Sequence, residues 1–129
     1  MAESPGRVLI VEDSPLNMEL ATDLLETAGY AVLQAGDAER GFALLRTEPV
    51  DIVLMDMRLP GMDGIAAVRA IRGDPRFRPL RVVALTAQAM RGDREVAVEA
   101  GFDGYISKPI DTRTFVRTVE GFMRAPAAS

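Results

Sequence analysis

The stretch DIVLMDMRLPGMDG, residues 51–64, decides the fold. Ile52 to Met55 is an unbroken apolar run too short for a helix, which reads as a strand buried on both faces. Asp56 ends it, the turn-rich LPGMDG comes next, and Ile65, Val68 and Ile71 then recur at helical spacing. Strand, turn and helix in that order make one βα unit.

The same unit repeats on either side. Upstream, Val8 to Val11 is a second buried run, and Ser14-Pro15 supplies an N-cap and first turn for a helix over Leu16 to Ala28. Leu16, Leu20 and Leu24 predict its apolar face, and Gly29 stops it. Ala31 to Ala35 reads as a weaker edge strand. Asp37 caps a helix carrying Ala38, Phe42 and Leu45 on one side, which Pro49 ends. Downstream come a strand over Val82 to Leu85, a helix from about Met90 to Ala100, and a short strand around Tyr105 and Ile106. The final helix has Phe115, Val119, Phe122 and Met123 as its apolar stripe.

Five βα units with right-handed crossovers predict an α/β fold. The expected form is a doubly wound five-stranded parallel sheet of order 2-1-3-4-5, a flavodoxin-like (βα)5 arrangement. One domain over residues 7–123 is expected, with flexible ends at 1–6 and 124–129.

Composition narrows the chemistry. The chain has 129 residues, 48% of them hydrophobic, enough for one core and too short for a second. A net charge of −4 without a basic cluster argues against nucleic acid. No apolar stretch approaches the ~20 residues that span a bilayer, so no membrane partner and a cytoplasmic location are expected. With no Cys and no His, thiol nucleophiles, His-based triads and the usual zinc sites are excluded. Of fifteen Lys plus Arg residues only Lys108 is lysine, and the two side chains differ in shape, hydration and donor geometry.

The residues directly after the apolar runs form the informative pattern: Glu12-Asp13 after Val11, Asp56 after Met55, Thr86 after Leu85, and Lys108 after Ile106-Ser107. Parallel strands bring their carboxyl ends to one edge, so these residues converge on one cleft. Two unit charges ~4 Å apart repel by roughly 4 kcal/mol at an effective dielectric near 20. Three carboxylates and one lysine therefore call for a hard divalent ion, Mg2+ or Mn2+, with a protonated carboxyl as an alternative source of relief. Such a set can accept a phosphoryl group.

Each member also has a structural reading. Glu12 and Asp13 serve equally as capping or solvated acids, Asp56 as a turn residue, Thr86 as a strand-end partner for backbone, and Lys108 as a surface lysine. Tyr105 reads either as core packing or as a two-position ring reporting the state of the cleft. Lys108-Pro109 is a candidate cis peptide that would turn the lysine back over the cleft, against a trans surface turn.

In VLIVED, IVLMDMRLPGMDG, VVALTA and YISKP, residues 7 to 123 resemble the receiver domain of bacterial response regulators. Within that family the chain is similar to single-domain regulators of the DivK type, through DSPLNMELATDLLETAGY and TAQAMRGDREVAVEAG. The resemblance implies that Asp56 is the phosphoacceptor and that Glu12, Asp13 and the main-chain carbonyl of Arg58 help to hold Mg2+. It assigns Lys108 to the phosphoryl group and Thr86 and Tyr105 to the switch. It also implies a sensor histidine kinase or histidine phosphotransfer protein as donor. A downstream protein would be contacted through the last two helices and the strand between them, by a monomer or a phosphorylation-dependent dimer. Arg58 and Gln88, two residues beyond Asp56 and Thr86, would flank an attacking water and tune dephosphorylation. On this reading the chain is a phosphoacceptor switch, not an enzyme acting on other substrates.

Other readings remain: a receiver domain from a hybrid histidine kinase, a receiver-like scaffold that is never phosphorylated, and two unrelated classes. A haloacid-dehalogenase-like phosphohydrolase would place a second Asp where Arg58 stands, and a flavodoxin-like nucleotide binder would need a Gly-rich loop after the first strand.

Overall fold

In the computed structural model, which describes residues 6–59, 61, 64–77, 79–86 and 93–124, strands and helices alternate along the chain. They are β1 (Arg7–Val11), α1 (Pro15–Thr27), β2 (Ala31–Ala35), α2 (Ala38–Thr47), β3 (Ile52–Asp56), α3 (Gly64–Arg72), β4 (Arg81–Thr86), α4 (Asp93–Ala100), β5 (Gly104–Ser107) and α5 (Phe115–Arg124). A short 3-10 turn at Pro75–Phe77, which the sequence pattern does not announce, joins α3 to β4. The strands form one parallel sheet of order β2-β1-β3-β4-β5, as expected.

The register explains how one sheet feeds two cores. Val8 to Val11 pair with Ile52 to Met55, and Ile52 to Asp56 pair with Arg81 to Leu85. Alternate residues point to opposite faces. Leu9, Val11, Val53, Met55, Val82 and Ala84 meet buried residues of α2, α3 and α4. Val8, Ile10, Ile52, Leu54, Val83 and Leu85 meet those of α1 and α5. Each such Val, Ile or Leu contributes about 1.5–3 kcal/mol by leaving water. β2 lies at the edge and is only partly buried, consistent with its weaker apolar run.

Local signals set the boundaries. The Ser14 side chain accepts the Asn17 N–H at 3.4 Å with Pro15 in the first turn. Gly29, at φ +100°, turns the chain out of α1 in a conformation that favours glycine. Asp37 caps α2 by accepting the Arg40 N–H at 2.8 Å. The apolar face of α1 differs from the expected one. Its buried residues are Met18, Ala21, Thr22 and Leu25, whereas Leu16 is 75% exposed. A row at i, i+4, i+8 turns through about 80° along the helix, so Leu16 rotates off the core while Leu20 and Leu24 are half-buried.

At the ends of the domain, the Gly6 carbonyl accepts the Ala31 N–H at 3.1 Å, and α5 extends to Arg124. The expected start of the fourth helix at Met90 and the proposed tuning residue Gln88 lie outside the described residues. Among the described residues, no helix is long and apolar enough to cross a membrane.

Candidate functional site

Because β1, β3, β4 and β5 are parallel neighbours, their carboxyl ends deliver Glu12, Asp56, Thr86 and Lys108 to one edge of the sheet. Glu12, Asp56 and Thr86 are buried, and Asp13 is exposed at the rim. Carboxylate oxygens of Glu12, Asp13 and Asp56 lie within 4.8 Å of one another. Lys108 Nζ stands 2.7 Å from Glu12 Oε2 and 2.9 Å from Asp56 Oδ2.

The two buried carboxylates are held alike. Asp56 Oδ1 accepts the Arg58 N–H at 2.9 Å, and Glu12 Oε1 accepts the Ser14 N–H at 3.1 Å. In each, the amide two residues on fixes one oxygen and leaves the other facing Lys108. The Nζ contact with Asp56 is a directed hydrogen bond. Glu12 Oε2, almost fully buried, is paired with the same Nζ at 2.7 Å. That ammonium is shared with Asp56, so two buried carboxylates divide one positive charge, an arrangement that favours a further cation.

The electrostatics reflect this crowding. Burial pushes the Glu12 carboxyl above its ordinary range; the Lys108 contact and the Ser14 amide oppose the shift, and repulsion from Asp56 adds to it. For Lys108, burial alone would lower the ammonium pKa, but the contacts with Glu12 and Asp56 outweigh it and the net direction is upward. Three carboxylates, two of them buried around one shared ammonium, form a donor set that fits a hard, oxygen-loving divalent ion.

Lys108 is positioned by backbone as well as charge. Its N–H donates to the Thr86 carbonyl at 2.7 Å, and the Lys108-Pro109 peptide is cis, the first of the two expected alternatives. Tyr105, opposite Ala84 in the sheet, is half-buried against the core shared by α3 and α4, outside the carboxylate cluster. The Arg58 side chain is exposed.

Sequence reasoning missed three participants. The amides of Arg58 and Ser14 belong to no side-chain pattern; only the i to i+2 spacing after each acid signals them. Gly64 reads as one more turn residue, yet a Cβ there would lie 2.7 Å from both the Asp56 carbonyl oxygen and Met57 Cα. Its missing side chain lets α3 start against the backbone that carries Asp56.

Comparison with known proteins agrees with this architecture. Residues 8–120 match the family model described as the response regulator receiver domain. The polar-differentiation response regulator DivK of Brucella anthropi is 37% identical over 119 residues, covering 92% of this chain and 97% of that protein. The receiver domain of sensor histidine kinase PA1611 from Pseudomonas aeruginosa, solved with a magnesium ion coordinated in its active-site cleft, is 33% identical. It superposes with a TM-score of 0.84, covering 93% of this chain and 98% of that one. The chemotaxis response regulator CheY4 of Vibrio cholerae superposes at 0.86 with 25% identity, over 91% of this chain and 98% of its own. Sheet order, carboxylate cluster and family match agree: the chain belongs to the response regulator receiver domain family and is homologous to the regulators of two-component signalling.

Proposed function

We propose that Asp56 accepts a phosphoryl group and that the resulting charge switches the affinity of a distal face for a protein partner. The observation that carries this reading is Lys108 Nζ, 2.9 Å from Asp56 Oδ2 within a cluster of three carboxylates. In the reaction an Asp56 carboxylate oxygen attacks phosphorus, the bond from phosphorus to the donor breaks, and the leaving group takes the bonding pair. The Arg58 amide fixes one carboxylate oxygen, and Lys108 lies where it can pair with a phosphoryl oxygen once Asp56 has become the acyl phosphate.

Glu12, Asp13, Asp56 and the Arg58 carbonyl are the residues proposed to hold Mg2+ or Mn2+. When bound, that ion neutralises charge on the transferring group. Receiver domains bind Mg2+ at an acidic pocket of this kind, and the PA1611 domain supports the assignment. Thr86, at the end of β4, is proposed to move toward the new charge, with Tyr105 following, so that the face formed by α4, β5 and α5 changes. Likeness to DivK over 97% of its length supports output through protein contacts made by this domain. The donor would be a histidine kinase or histidine phosphotransfer protein, encountered in the cytoplasm.

The test is incubation with Mg2+ and a small phosphodonor. One acid-stable, hydroxylamine-labile phosphoryl group should form, absent in Asp56→Asn and strongly reduced in Asp13→Asn. No adduct under any donor would leave the non-phosphorylated scaffold as the better reading.

A further inference from the structure

Away from the carboxylate cluster, one side chain ties the end of α3 to the segments that precede β4 and β5. Arg72, the last residue of α3, donates from Nε to the Gly101 carbonyl at 2.8 Å and from Nη1 to the Leu80 carbonyl at 2.6 Å. From Nη2 it donates to Asp103 Oδ2 at 2.8 Å. Asp103 Oδ2 also accepts the Val82 N–H at 2.8 Å, and the Asp103 N–H donates to the Val82 carbonyl at 2.7 Å. The two side chains are 23% and 17% exposed, so solvent competes little for these bonds. Gly101 completes the joint. Its φ of +121° suits the turn that ends α4, and a Cβ there would lie 2.9 Å from Arg72 Cγ, so its bare backbone makes room for the arginine stem. The guanidinium fork meets the three acceptors from three different nitrogens, a spread that the single nitrogen of a lysine lacks.

The rest of α4 is held far more lightly. From Glu95 to Ala100 only Ala97 and Ala100 are buried, both small, while Val96 and Val98 are exposed. β4 ends in Thr86 and α4 begins at Asp93, so a displacement at Thr86 reaches the helix from its amino end. Its carboxyl end is tied, through Gly101, to α3 and to the starts of β4 and β5.

We infer that Arg72 is a positioning residue for the switch: it pins the carboxyl end of α4, making that end a fixed pivot about which the remainder of the helix responds to events at Asp56. The static half stands on the bonds alone; the response half rests on the phosphoacceptor reading.

Amide hydrogen exchange on the full chain tests both. Without phosphodonor, Arg72→Met should speed exchange at Gly101, Phe102 and Asp103 by at least about tenfold while β1 amides are unchanged. Arg72→Lys, which keeps the charge and loses the fork, should move the same amides in the same direction. With Mg2+ and phosphoramidate, and adduct formation checked by intact mass, the wild type should change exchange over residues 95–98 and leave 101–103 unaltered. In Arg72→Met the change should spread into 101–103. Unchanged protection of 101–103 in both variants would overturn the clamp, and a wild-type response as strong at 101–103 as at 95–98 would overturn the pivot. Absence of any wild-type adduct would overturn the phosphoacceptor reading and with it the response half, while the first comparison still decides the clamp.

Discussion

Lys108 Nζ and Asp56 Oδ2 meet at 2.9 Å although 52 residues separate them in the chain. That contact exists because β3 and β5 flank β4 in one parallel sheet, so the residues at and just beyond their carboxyl ends share an edge. The same ammonium lies 2.7 Å from Glu12, so one cation serves two buried carboxylates that otherwise repel each other.

Removing that cation should therefore cost stability before any signalling is considered. Lys108→Met leaves Glu12 and Asp56 buried without their partner, and breaking a buried pair in this way costs on the order of 3 kcal/mol. Urea unfolding in the presence of a chelator should show the loss, and millimolar Mg2+ should restore part of it by supplying the missing positive charge. An unchanged midpoint in chelator would mean that the lysine is not the counter-charge of the cluster.

Gly64 gives a second prediction, on packing. An alanine Cβ would overlap the Asp56 carbonyl oxygen and Met57 Cα, both backbone atoms that cannot rotate aside. Overpacking of this kind costs about 1–3 kcal/mol or more. Gly64→Ala should lower the urea midpoint and, in the fraction that folds, slow phosphorylation from a small donor. Wild-type rate and stability together would show that α3 can shift at no cost.

The fold was legible because the strand signal is unusually clean. The runs ending at Val11, Met55 and Leu85 are buried residue by residue, and parallel pairing then requires their successors to share one edge. Asp56, Glu12, Asp13 and Lys108 came together for that reason. What stayed hidden depends on atoms that side-chain patterns do not encode: the Arg58 and Ser14 amides, the vacant Cβ of Gly64, and the three-way Arg72 clamp, whose acceptors include two backbone carbonyls. The α1 face was misjudged because spacing alone does not choose between adjacent rows; contact with β1 and β2 does.

That misjudged face has its own test. Leu16 and Leu25 look equivalent in sequence, yet one is 75% exposed and the other fully buried. Leu16→Ser should stay within about 0.5 kcal/mol of wild type, whereas Leu25→Ala should lose about 2–5 kcal/mol. Equal losses in chemical denaturation would return Leu16 to the core.

Arg58 separates backbone from side chain at a single position. Its amide holds Asp56 Oδ1 at 2.9 Å, while its side chain is exposed beside the cleft. Arg58→Ala keeps the amide and removes only the guanidinium. If that bulky cation obstructs the path of water toward the phosphorylated Asp56, the variant should phosphorylate at close to the wild-type rate and lose the phosphoryl group several-fold faster, because a barrier change of about 1.36 kcal/mol is tenfold in rate. Acyl-phosphate lifetime, measured after removal of the donor, reads this directly. An unchanged or longer lifetime would show that the side chain does not obstruct water, and a slower phosphorylation step would place it on the donor side of the reaction instead.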